Sequence, residues 1–123
     1  MDERWTRGLR AYASQFRLPE DQVFPHLSAR FGESMATEAV YAAGAAWDSE
    51  SPLSLRDRSL AVLTALAAQG GAEDRLRPHV RWAVVHGATR AELEALLAFL
   101  AVYIGYPRAS VAMEVVREEL DRA

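Results

Sequence analysis

Apolar residues recur at three- and four-residue intervals along most of the chain, the repeat of helices that bury one face. Trp5, Leu9, Tyr12 and Phe16 form one such stripe. The first 32 residues read as one or two short helices, interrupted at Leu18-Pro19 and again at Pro25. Gly32 follows Phe31 as a left-handed terminator. The pattern then predicts a helix over residues 34–47 and a loop over residues 48–52. Ser54 and Asp57 have the spacing of a helix start, a hydroxyl for an orphan amide and a carboxylate for the positive end. That helix carries Leu60, Leu63, Leu66 and Ala67 and stops at Gly70-Gly71. Its apolar interior places it deep in a core.

Pro78 is expected in the first turn of the next helix, where its missing donor costs little. Thr89-Arg90-Ala91-Glu92 is a capping box, the clearest helix start in the chain. Leu93, Leu96, Leu97, Leu100, Ala101 and Ile104 sustain the helical repeat behind it. A last helix, from about Pro107, carries Ala109, Ala112, Met113, Val116 and Leu120. The expectation is an all-α bundle of six to seven helices, a single domain over residues 1–123.

Composition narrows the chemistry. The formal net charge of −3 argues against a nucleic-acid partner. No cysteine is present, which removes disulfides, thiolate ligands and cysteine nucleophiles. The uncharged runs at residues 59–72 and 95–107 are shorter than the ~18 apolar residues of a spanning helix, and the first residues carry no signal-like apolar region. A cytoplasmic protein without a membrane partner is expected.

Residues 75–89 concentrate the reactive side chains. His79 and His86 are ~10 Å apart along one helix at its usual rise, too far to share a metal, and no metal-ligand spacing accompanies them. No metal is expected. His86 precedes Gly87 at a helix end, where a histidine suits the dipole, and a capping role is favoured over catalysis. His79 lies among Arg75, Arg77 and Arg81, which would bias it towards its neutral form and provide guanidinium groups for a carboxylate ligand. The competing reading is a solvated run of charges holding an incidental histidine. Tyr103 and Tyr106 flank Gly105, with packing the expected role and a site or interface the alternative.

Several stretches in order then resemble the carboxymuconolactone decarboxylase family. They are Leu55-Arg56-Asp57-Arg58-Ser59-Leu60, residues 79–89, Glu92-Leu93 and Ala101-Val102-Tyr103-Ile104-Gly105-Tyr106-Pro107-Arg108-Ala109, within a match of about residues 38–120. The resemblance implies an alkylhydroperoxidase D-like orthogonal helical bundle that assembles into trimers or hexamers. The family's thiol branch places a C-x-x-C pair where this chain has about Ala72 and Arg75, so peroxide reduction by that route is excluded. The other branch implies a cofactor-free lyase of aromatic catabolism, acting on a small carboxylated lactone. His79 matches the family histidine and is the implied proton carrier, and Arg58, Arg75 and Arg81 are the candidates to hold a substrate carboxylate. One position departs, since Arg75 stands where the family commonly has glutamate in Glu-Leu-x-x-His. That departure points to a diverged member acting on another anionic lactone or related metabolite. The alternatives are a helical oligomer that binds a small anion without turnover, or one that kept only the fold.

Overall fold

The computed structural model describes residues 2–122, and among these every regular element is an α-helix. The seven helices are α1 (Glu3–Phe16), α2 (Glu20–Phe31), α3 (Glu33–Ala46), α4 (Leu55–Gln69), α5 (Glu73–Val85), α6 (Arg90–Ile104) and α7 (Tyr106–Arg122). They fall into two compact units, Met1–Pro52 and Leu53–Ala123.

In the first unit, Val23, Leu27, Ala36 and Val40 form the buried centre, and the stripe of Trp5, Leu9, Tyr12 and Phe16 packs on it as its spacing predicts. Two glycines set how closely α1 and α3 approach. A Cβ at Gly8 would lie 1.9 Å from the Val40 carbonyl oxygen, and one at Gly44 would lie 1.9 Å from that of Arg4. The pairing of Gly8 with Val40 and Arg4 with Gly44 runs in opposite directions along the two helices, so they are antiparallel. Pro25 does not interrupt α2 but sits inside it. It is the sixth residue, and the carbonyl it leaves without a helical donor belongs to exposed Asp21, which water reaches.

The second unit is built on Leu63, Val80, Leu93, Leu97 and Val116, contributed by all four of its helices. Local signals set its helix ends. Ser54 Oγ accepts from the Asp57 N–H at 3.0 Å. Thr89 and Glu92 close the reciprocal capping box. Glu92 is held below the usual carboxylate range, first by the Thr89 backbone N–H and further by Arg56, which reaches it from α4.

Two expectations for this unit change. Pro78 lies in the second turn of α5, as its sixth residue, because the helix begins earlier, at Glu73 and Asp74, whose carboxylates suit the positive end. Helix α4 is buried along one side only, at Ser59, Leu63 and Ala67, and Ala61 and Ala65 are exposed.

Candidate active site on the fifth helix

Helix α5 sorts its charged and aromatic residues onto two faces. At about 100° per residue, Arg75, His79, Trp82 and His86 fall on one stripe, and Arg77 and Arg81 fall on the opposite side.

On the first face Trp82 is buried, and its ring lies between the two histidines. The ring centroids are 6.1 Å apart for His79 and Trp82 and 4.6 Å for Trp82 and His86. His79 is half-buried, and burial lowers its pKa to about 4. The neutral form expected from the sequence is therefore present, but desolvation produces it rather than the neighbouring arginines. Arg75 occupies the stripe one turn before His79 and is exposed.

His86 is the C-cap residue of α5, the position the sequence assigned to it. Its side chain does more than end a helix. Nδ1 lies 2.6 Å from Ser59 Oγ of α4, and Ser59 is only 2% exposed. The pKa of His86 is lowered, first by burial and then by the positive charge of Arg58. Arg58 precedes Ser59 on α4 and directs its Nε towards the Ser54 carbonyl at 3.4 Å. The structure thus groups Arg58 with Ser59 and His86, and groups His79 with Trp82.

Arg81 belongs elsewhere. Its Nη1 donates to Glu119 Oε2 of α7 at 2.6 Å. Arg77 reaches the other oxygen of the same carboxylate at 3.3 Å, and Arg122 reaches it at 3.1 Å. Glu119 is 3% exposed, and its pKa is lowered because these arginines outweigh the opposing effect of burial. This is a structural ion cluster, and the structure does not bring Arg81 together with His79.

Sequence reasoning missed Ser59 and Glu119. Ser59 is one polar residue of an otherwise largely apolar helix stretch, and its partner is distant in the chain. Glu119 stands among charged neighbours, Arg117, Glu118, Asp121 and Arg122, and nothing local marks it as buried. The helical angle alone was enough to separate Arg77 and Arg81 from His79.

A cavity of about 220 Å³ also lies in the second unit, lined by Leu66, Gly70, Leu76, Pro107, Arg108 and Val111 among others. Neither histidine lines it. Arg108 donates to the Ala68 carbonyl at 2.7 Å, binding an orphan acceptor at the end of α4. No group of His, Asp or Glu side chains suited to a metal ion occurs among the described residues. No helix among them is long and apolar enough to cross a membrane.

The stretch from the start of α3 into α7 matches a known family. The chain belongs to the carboxymuconolactone decarboxylase family, whose sequence profile matches residues 33–118. A curated relative, the 4-carboxymuconolactone decarboxylase of Acinetobacter baylyi (strain ATCC 33305 / BD413 / ADP1), is 36% identical over 78 residues. That alignment covers 63% of this chain and 57% of the relative.

Proposed function

We propose that the protein is a cofactor-independent carboxy-lyase acting on a small carboxylated lactone, with His79 as the proton carrier. The observation that carries this reading is a half-buried His79, neutral at pH 7, beside a buried tryptophan in a chain of the decarboxylase family. Likeness to the Acinetobacter baylyi decarboxylase supports the lactone class.

The chemistry asks little of the protein. A carboxylate vinylogous to the lactone carbonyl leaves as CO₂, and the electron pair of the broken C–C bond spreads into the carbonyl as a dienolate. One proton delivered to carbon completes the product. A histidine with a pKa near 4 is the neutral imidazole at neutral pH, without the second proton of the imidazolium. An entering dianionic substrate favours the imidazolium and raises that pKa, loading the proton only when a substrate is there to receive it. His79 then gives the proton to the dienolate and is neutral again. Arg75, on the same stripe, is the nearest candidate by helical position to hold the departing carboxylate before reaction.

Phe99, Val102, Tyr103 and Tyr106 follow one face of α6 and its end, and Val102 is 82% exposed. Tyr103 and Tyr106 do not pack inside the chain as expected, and exposed apolar stripes of this kind mark interaction surfaces. The reading therefore includes a homo-oligomer joined through this stripe, in which a neighbouring copy completes the wall of the site.

The test is incubation with γ-carboxymuconolactone while CO₂ release is followed. Turnover by the native chain, reduced ~10²-fold or more by His79→Ala, is the expected result. Turnover unchanged by His79→Ala removes the histidine from the mechanism, and absence of turnover removes the lyase. A bound anion without turnover would favour the anion-binding alternative.

A further inference from the structure

Three features lie outside the proposed chemistry at His79. They are the apolar cavity beside Arg108, the Glu119 ion cluster, and the contact between Ser59 and His86. The cavity's one cation already binds the Ala68 carbonyl, and the ion cluster is satisfied within itself. The third feature has the form of a recognition site.

We infer that Ser59 orients His86 so that its Nε2–H, together with the Arg58 guanidinium, grips a carboxylate of the substrate other than the one that leaves. The geometry begins with the serine. A hydroxyl at 2% exposure cannot turn to bulk water, and its oxygen lies 2.6 Å from His86 Nδ1. If Ser59 O–H donates to Nδ1, the single proton of a neutral imidazole resides on Nε2. Trp82, with its ring centroid 4.6 Å from that of His86, supports the imidazole from the side. Arg58 adjoins Ser59 in the chain and its charge is felt at His86.

A neutral N–H donor beside a guanidinium suits an anion. Both groups donate, neither accepts, and the planar fork of arginine matches a carboxylate. A histidine fixed in this tautomer also presents no lone pair to repel the ligand oxygen. The site would select dicarboxylates over monocarboxylates, because His79 and Arg75 attend to the reacting end. Ser59 is a positioning residue, and His86 and Arg58 are binding residues.

This inference rests on the lyase reading for its substrate, but its test does not require turnover. Nitrogen-15 ring spectra of the full-length protein, with glutarate as an unreactive dicarboxylate probe, report the tautomer and the binding together. The expected result is a Nε2–H tautomer at His86 and a saturable shift of that nitrogen on adding glutarate. Arg58→Gln should weaken glutarate about tenfold or more, the usual cost of losing a hydrogen bond to a charged group. Ser59→Ala should mix the tautomers and raise KM for the lactone more than it lowers kcat, with Ser59→Thr restoring both. A Nδ1–H tautomer, or glutarate leaving His86 unmoved while the lactone is turned over, overturns the site and leaves the lyase standing. Glutarate bound at His86 with no turnover of the lactone upholds the site and removes the lyase.

Discussion

The two faces of α5 hold the same kinds of residue and use them for opposite ends. One face turns Arg77 and Arg81 onto the buried carboxylate of Glu119, where charges are satisfied within the protein. The other carries Arg75, His79, Trp82 and His86, where burial removes charge from a histidine and the tryptophan ring lies beside both imidazoles. A run of charges in sequence is therefore not one feature. Its helical angle divides it into a part that holds helices together and a part gathered around two histidines and a tryptophan.

The largest effect that separates the faces is expected on the Glu119 side. Glu119→Ala should lower stability by about 1–3 kcal/mol, the worth of hydrogen bonds to a charged group, in thermal or urea unfolding. The cost stays moderate because the arginines can turn to water, Arg81 being 53% and Arg122 68% exposed. His79→Gln should spare stability at neutral pH by comparison, and a larger loss there would make the histidine face structural as well.

Acid distinguishes the faces by pH window. His79 has a folded pKa of about 4 against 6.5 for an ordinary histidine, so the unfolded chain takes up its proton first. Stability should fall as pH drops from about 6.5 to about 4, with His86 adding in the same direction because its pKa is also lowered. Glu119 contributes stability that is present above the ordinary carboxylate pKa of 4.5 and is lost as pH falls through its depressed folded value. Urea unfolding across this range should show two stages, and the His79→Gln variant should flatten only the upper one. A slope unchanged in that variant would place the upper stage elsewhere.

Much of the fold was legible because its signals are local. The Ser54 and Thr89 caps and the glycine stops lie within a few residues of the amides or carbonyls they govern. The α1 stripe was legible for the same reason. Gly8 and Gly44 gave no such sign, since only the backbone of another helix requires them. Pro25 and Pro78 misled because a proline at the sixth helical position leaves only a near-terminal, water-accessible carbonyl without its partner. In the candidate site, His79 stood out in the sequence by its flanking arginines and by family likeness, but Arg77 and Arg81 turn to Glu119 instead. Ser59 and Glu119 did not stand out, because their burial depends on partners 27 and 38 residues away.

Two smaller effects sharpen the contrast. Arg81→Gln should cost under about 1 kcal/mol, since Glu119 keeps Arg77 and Arg122 and exposed ion pairs are weak. A loss above that would mean Arg81 alone holds the carboxylate. Arg75→Glu places a carboxylate one turn from His79 and should raise the histidine's pKa by under about half a unit, as exposed pairs at that helical spacing do. A lowered value would contradict the placement of Arg75 on the histidine face.

The most direct measurement is the titration of the His79 ring by NMR in the folded protein between pH 3 and pH 8. A midpoint near 4 is expected, which leaves the ring neutral at pH 7. A midpoint at the ordinary histidine value of 6.5 would show that burial does not control the ring and would remove His79 as a neutral group awaiting its proton.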